Sequence, residues 1–473
     1  MTTDNQFTTV KKRTSNFSNS TSKTKKSYNQ PGRSNYKSRN NEPFVPSAAV
    51  KKISQIELSD EQIFLKSKIL NFINTGLENY ESKPSVFIIN GDAGTGKSVI
   101  LNSLFNEIQK ISRTEKGKTL SNTKNTLVVN HPEMLKLYHQ ISKQFPYISK
   151  SDLERPTSLI NNFNKSPKQE KVDVLIIDEA HLLATAKDAF KRFNQENHLE
   201  ELIKISKVII IVFDDKQSLR MGSYWTLDHD LKKGKSDGAS LTSFLNNSNL
   251  AQFETFNLTK QFRITAKPDL INWTTEISTT KKILPLPLSD AESKTFDFKI
   301  FENCQKMYDS IKEKNAEFGQ SRILATYDFP YRLDGKDYFV SSDSDEFKLR
   351  WDRYLPQLTT PWSERDDTID EVGSVYTIQG FDLNYAGIIL GRSIGYDAST
   401  DSLKIKPEFH DDNAGFTKKK NINNVDKVKE KIILNSLNVL LTRGVKGLYI
   451  FPWDKELREK LLRNADDRVV SRN

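Results

Sequence analysis

The 473 residues carry 71 Lys and Arg against 61 Asp and Glu, with 36% hydrophobic and 28% charged residues, the balance of a soluble globular chain long enough for two or three domains. The longest apolar runs, such as Val208–Phe213, are strand-length rather than the ~20 residues of a membrane helix. The N-terminus has no apolar signal segment, and one cysteine, Cys304, excludes an intramolecular disulfide and any cysteine-based metal cluster. No membrane association is expected, and a reducing, cytoplasmic location is.

The net charge of +10 is unevenly placed. Residues 1–52 hold eleven Lys and Arg against Asp4 and Glu42, so nearly all of the excess lies there and the body is close to neutral. Residues 1–50, rich in Ser, Thr, Asn and Lys and poor in aliphatics, cannot bury enough apolar surface to offset ordering entropy and are expected to be a disordered basic tail. Tyr28 and Tyr36 among its basic residues could touch nucleic acid; a solvated tail is the plainer alternative.

Beyond the tail, strand and helix signals alternate. An amphipathic helix is predicted over 61–80 and strands over Ser85–Asn90, Thr126–Asn130, Val172–Ile177 and Lys207–Phe213, with helical stretches between. Apolar strands return at Arg322–Ala325, Gly373–Tyr376, Tyr385–Leu390 and Gly447–Phe451. This alternation predicts an α/β fold of parallel sheets flanked by helices. The expected domains are 51–250 and 251–473, with a polar, lysine-rich inserted loop at about 395–430.

The strongest local signal is Gly91-Asp92-Ala93-Gly94-Thr95-Gly96-Lys97-Ser98, a full match to G-x-x-x-x-G-K-[ST] between a predicted strand and a predicted helix. The glycines admit backbone conformations closed to other residues, so that N–H groups turn inward and cradle phosphates at the helix N-terminus. Lys97 would reach the β- and γ-phosphates, and the Ser98 hydroxyl would ligate Mg²⁺. The second signal is the apolar strand ending in Asp178-Glu179-Ala180-His181. Asp178 would complete the Mg²⁺ shell opposite Ser98, and Glu179 would orient and deprotonate the attacking water. His181 reads equally as a link to a neighbouring element and as an ordinary helix-start histidine.

From Leu58 to Phe451 the ordered set of motifs resembles superfamily 1 helicases, and more closely the bacterial DUF2075 family, the Schlafen group 3-like DNA/RNA helicase domain. The resemblance implies two RecA-like P-loop NTPase domains, ATP and Mg²⁺ as cofactors, and nucleic acid as partner. Gln62, in Leu58-Ser59-Asp60-Glu61-Gln62, is similar to the adenine-recognition glutamine, although Ser59 and Gln62 also spell a helix capping box. Asp214 and Gln217, in Phe213-Asp214-Asp215-Lys216-Gln217, match the γ-phosphate sensor. Arg263, in Leu258-Thr259-Lys260-Gln261-Phe262-Arg263, and Arg443, in Leu441-Thr442-Arg443-Gly444, match arginines that reach the triphosphate from the second domain. Thr377-Ile378-Gln379-Gly380-Phe381-Asp382 resembles a motif in which Thr and Gln contact backbone and nucleotide and Gly380 permits close approach; the family more often has Glu where Asp382 stands.

Asn130-His131-Pro132 lies where such proteins contact a strand's backbone, and Tyr224, Trp225, Trp273 and Trp362 could stack on bases, core packing being the commoner fate of large aromatics. The implied activity is an ATP hydrolase coupling turnover between two domains to translocation on, or unwinding of, DNA or RNA, gripped mostly as a single strand through phosphates and independently of sequence. The alternative is an ATP-dependent conformational switch that recruits a protein partner.

Overall fold

Runs of β-branched and aliphatic residues set between turn residues build the first sheet. The computed structural model describes residues 47–189, 192–227, 239–260, 268–286, 296–332, 334–342, 346–353, 355, 357–417, 422–463 and 470–471, all within one compact unit, Val45–Asn473. Helix α1 (Ala48–Ser54) begins just inside the stretch expected as tail, and its Val50 is fully buried. Next come α2 (Asp60–Glu78), β1 (Ser85–Gly91), α3 (Lys97–Thr114), β2 (Asn125–Val129), α4 (Pro132–Ile141), β3 (Leu153–Glu154), α5 (Pro156–Lys165), β4 (Val172–Asp178), α6 (His198–Lys204) and β5 (Ser206–Phe213). A small parallel pair, β6 (Trp225–Thr226) and β7 (Ala239–Ser240), then α7 (Leu241–Asn246) and β8 (Gln252–Leu258), complete this half.

The six-stranded sheet has the order β3-β2-β4-β5-β1-β8, and every pairing is parallel. Val208–Phe213 is buried throughout because helices cover both faces, which is why β5 is continuously apolar rather than alternating. In a parallel sheet all strands end on the same side, so the turns after β1, β4 and β5 gather along one edge, where such sheets bind ligands. Strand β8 pairs with β1 along its whole length, carrying the first sheet to Leu258 rather than to residue 250.

The second half runs through α8 (Pro268–Thr279), β9 (Asp297–Phe301), α9 (Cys304–Phe318), β10 (Ser321–Ala325), β11 (Phe339–Ser341), β12 (Lys348–Trp351), β13 (Glu371–Gly373), α10 (Val375–Ile378), β14 (Leu383–Leu390), β15 (Ile394–Asp397), β16 (Ser402–Ile405), α11 (Val425–Leu441), β17 (Gly444–Pro452), α12 (Lys455–Arg463) and β18 (Val470–Ser471). Its eight-stranded sheet, β11-β12-β13-β10-β14-β17-β9-β18, is parallel except for the β11–β12 pair.

Two expectations are corrected here. The strand predicted over Gly373–Tyr376 ends at Gly373, because Ser374 caps the short helix α10 in a capping box with Thr377. The polar stretch after 395 is not simply a loop: β15 and β16 form a hairpin with Ile394 and Leu403 buried, and α11 starts at Val425. Residues 1–46 and the lysines at 418–420 lie outside the described residues.

Candidate nucleotide site between the two sheets

The turn after β1 closes on itself before α3 begins. Gly94 and Gly96 adopt φ of +89° and +78°, a region L residues avoid. A Cβ on Gly91 would stand 2.7 Å from Thr95 Oγ1. Thr95 donates from N (3.3 Å) and Oγ1 (2.9 Å) to Asp92 O, which ties Asp92, Ala93 and Gly94 into a tight bend. Helix α3 has no side-chain cap; Gly96 O takes the N–H groups of Val99 and Ile100, both at 3.1 Å, and no side chain caps those of Lys97 and Ser98. Lys97 Nζ folds back over the bend, donating to Gly91 O (2.5 Å) and Asp92 O (2.9 Å) and pairing with Asp214 Oδ2 at 3.3 Å. Lys216 closes the other side through Asp92 Oδ2 at 2.7 Å.

Asp178, at the end of β4, is 1% exposed. Burial and the adjacent Glu179 push its carboxyl up to about 7, against the pull of Tyr138, the Glu179 N–H and Lys97. Tyr138 Oη donates to Asp178 Oδ2 at 2.7 Å, and Glu179 N donates to Oδ1 at 3.0 Å. Glu179 has a left-handed backbone, φ +51°, a strained conformation for a non-glycine residue and one that turns the chain sharply as the strand ends. Asp214, after β5, accepts from Gln217 Nε2 at 2.7 Å. Burial raises its carboxyl, but Lys97, His181 and Gln217 together outweigh this and hold it below the usual range.

Lys97, Asp178, Glu179, Asp214 and Gln217 therefore converge on one edge of the first sheet. Gln62 joins them from α2: its Oε1 accepts from Ser59 N at 3.0 Å, and its Nε2 reaches Thr95 O and Gly96 O at 3.5 Å. The capping box and the position beside the Gly91–Gly96 bend hold together. Tyr138 was not legible as a site residue; the only sequence signal was a tyrosine on an apolar helix face, whose hydroxyl needs a partner once buried.

The second sheet meets this edge directly. Gln379 Nε2 donates to Gln217 O (3.2 Å) and lies 3.1 Å from His181 Nε2. Gly380, at φ +86°, packs so closely on α4 that a Cβ would stand 2.5 Å from Met134 Sδ. His131 Nδ1 accepts from Met134 N (3.2 Å), which leaves Nε2–H to donate to Tyr376 O at 3.1 Å. The Arg220 guanidinium lies 4.1 Å from the Tyr376 ring centroid, and Asn435 Nδ2 donates to Ser218 O at 2.9 Å. Helix α1 bridges the halves too, with Ala49 N donating to Glu364 Oε1 at 3.1 Å and Lys52 paired with Asp382. That pairing gives Asp382 a local structural role.

Arg443 is fully buried at the end of α11, where it donates to Val439 O (2.6 Å), Phe381 O (3.2 Å) and Thr442 Oγ1 (3.1 Å). It thus anchors the segment that carries Gln379 and Gly380. Arg263 lies outside the described residues. The aromatics proposed for base stacking are core instead: Trp225, Trp273, Trp362 and Tyr224 are all buried, and Trp225 Nε1 donates to Leu183 O at 2.8 Å. Asn130 donates to Leu182 O at 2.5 Å and holds the turn after β4.

No group of three or more His, Cys, Asp or Glu among the described residues is arranged to hold a metal ion. The Ser98 hydroxyl and the Asp178 carboxylate both neighbour Tyr138 Oη. This pair of hard oxygen donors suits Mg²⁺ that takes its remaining ligands from water and substrate phosphates. No helix among the described residues is long and apolar enough to cross a membrane.

Residues 84–454 match the family described as Schlafen group 3, DNA/RNA helicase domain. Over 435 residues the chain is 57% identical to the uncharacterized protein YPL245W of Saccharomyces cerevisiae, an alignment that covers 89% of this chain and 94% of the yeast protein. The solved structure of Drosophila ORC bound to DNA is 13% identical, covering 39% of this chain and 47% of that one with a TM-score of 0.22, too slight a likeness to bear on the fold.

Proposed function

The chain belongs to the Schlafen group 3 DNA/RNA helicase domain family, and from that premise we propose that it is a nucleic-acid-dependent ATP hydrolase whose two sheets are RecA-like lobes. The observation that carries this reading is the gathering of Lys97, Asp178, Glu179, Asp214 and Gln217 on the sheet edge that Gln379 of the other half touches. A plain metabolic kinase would leave that contact without a purpose.

In this reading the bend from Gly91 to Gly96 and the open first turn of α3 receive the triphosphate. Lys97 exchanges its carbonyl partners for phosphate oxygens. Ser98 and Asp178 would hold Mg²⁺, which would supply positive charge against that of the phosphates. Glu179 takes the proton of a water whose oxygen bonds to the γ-phosphorus, while the bond from that phosphorus to the β–γ bridging oxygen breaks. Asp214 and Gln217 report the state of the γ-phosphate to Gln379. Arg263 and Arg443 supply positive charge from the second half; for Arg443 this requires releasing Val439 O and Phe381 O. The partner is a single strand of DNA or RNA, gripped through its phosphates.

The test is ATP turnover by the full chain with and without defined single strands of DNA and of RNA, across a salt series. Stimulation that fades with salt supports the reading. Turnover indifferent to both nucleic acids favours an ATP-dependent switch that recruits a protein.

A further inference from the structure

Arg220 follows the turn after β5 and reaches the join between the halves, with its guanidinium 4.1 Å from the Tyr376 ring centroid. It makes no ion pair among the described residues, and its Nε is buried without a hydrogen-bond partner. Both side chains stay partly exposed. His131 feels the charge of Arg220 and also that of Arg155, which follows β3. Two cations and a tyrosine thus share the edge on which these parallel strands end, a set suited to a phosphodiester backbone. One anion already stands there. The segment between β16 and α11 brings the buried Asp412 to the Tyr376 hydroxyl, which donates to its Oδ2. Gly415 N donates to Asp412 Oδ1 at 2.8 Å and Phe416 N to Asp412 O at 3.0 Å, so the carboxylate sits within a tight bend. Asp411 N donates to Tyr327 O at 2.8 Å and roots the bend in the second half. On the first half it rests on Met221, whose N donates to Gly415 O at 2.9 Å and whose side chain clusters with Tyr224 against Phe416.

We propose that the chain carries its own competitor for nucleic acid: Asp412 stands in for a backbone phosphate beside Arg220 and Tyr376, and a single strand binds at the join by displacing it. The exchange conserves charge, since a carboxylate and a phosphodiester each carry one negative charge and each accepts from a hydroxyl and a guanidinium. Asp412 acts on the Arg220 charge without closing an ion pair with it. A phosphodiester can present two oxygens to the guanidinium fork and satisfy the Nε that the carboxylate leaves bare. The stand-in is therefore the weaker of the two ligands. Arg220 lies three residues beyond Gln217, and Tyr376 three residues before Gln379. The exchange thus takes place on the two segments whose contact, Gln379 Nε2 to Gln217 O, joins the halves. In the absence of a strand, Asp412 keeps Arg220 from other anions.

The proposal rests on nucleic acid being the partner named above, and its test needs no turnover. Binding of a fluorescein-labelled oligothymidylate, and of the matching oligouridylate, to the full chain is followed by anisotropy at fixed salt. Asp412→Asn keeps an acceptor for Gly415 N and removes the charge; it is expected to bind about tenfold tighter than wild type. Damage to the fold would weaken binding, so the direction separates competition from damage. Gly415→Ala, whose Cβ would strike the Asp412 carboxylate, unseats it by another route and is expected to tighten binding as well. Arg220→Ala is expected to weaken binding, and Asp412→Asn added to it should tighten nothing. Equal or weaker binding by Asp412→Asn, or the same tightening with and without Arg220, overturns the proposal and leaves nucleic-acid binding by wild type standing. Wild type and all variants failing to bind either strand at low salt would overturn the functional reading along with it.

Discussion

The phenolic hydroxyl of Tyr138 donates to Asp178 Oδ2 at 2.7 Å, and the same hydroxyl neighbours Ser98. One residue of α4 thus joins the two side chains proposed to hold Mg²⁺. Tyr138→Phe removes the donor and leaves a buried carboxylate oxygen short of a partner, a loss of about 1–3 kcal/mol in folding stability. It also frees Asp178 to move. The Mg²⁺ concentration for half-maximal ATP turnover should rise several-fold while turnover at saturating Mg²⁺ changes less. A Mg²⁺ titration beside a urea unfolding curve checks both; a variant unchanged in each would remove Tyr138 from the site.

Stability should depend on pH through His131. Burial lowers its folded pKa from 6.5 to about 4. Below pH 6.5 the unfolded chain takes a proton there and the folded chain does not, so stability is lost as pH falls from about 6.5 towards 4, at up to about 1.4 kcal/mol per pH unit. Asp178 has the opposite sign. Its folded pKa is raised, so its contribution is full below about pH 4 and is lost as pH rises towards 7. His131→Asn keeps a capping side chain for α4 and removes the imidazole. In urea unfolding at pH 7 and pH 5, this variant should lose less stability on acidification than wild type. Equal losses would contradict the assignment.

Gly380 meets Met134 across the join between the halves, at a φ of +86° that other residues reach only with strain. Gly380→Ala should therefore weaken the contact that places Gln379, lowering turnover by an order of magnitude or more at about 1–2 kcal/mol of backbone cost. Adding Met134→Ala relieves the steric part and leaves the backbone part. Partial recovery in the double variant is the expected outcome; no recovery would mean that the close approach does not matter.

Much of this is legible in the amino-acid sequence. The phosphate loop and the acidic strand end are local: a glycine pattern between a strand and a helix, and carboxylates after an apolar run, state their geometry within eight residues. The parallel sheets followed from the same periodicity. What could not be read is long-range. The β8–β1 pairing joins Gln252 to Ser85, and nothing near residue 250 says which sheet the strand enters. Trp225, Trp273 and Trp362 look alike as exposed platforms and as core until burial is known, and burial made them core. Tyr138 and His181 gain their meaning only from partners 40 and 198 residues away. The Gly373–Tyr376 prediction failed because a serine cap outweighed a short apolar run.

The central claim is that ATP is hydrolysed at the bend held by Lys97, with Glu179 as base. Radiolabelled ATP mixed with wild type, Lys97→Ala and Glu179→Gln, followed for both bound nucleotide and released phosphate, tests it directly. Wild type should release phosphate, Lys97→Ala should neither retain ATP nor turn it over, and Glu179→Gln should retain ATP while turnover falls by roughly 10²–10⁴-fold. Phosphate release at the wild-type rate from Lys97→Ala would contradict the account.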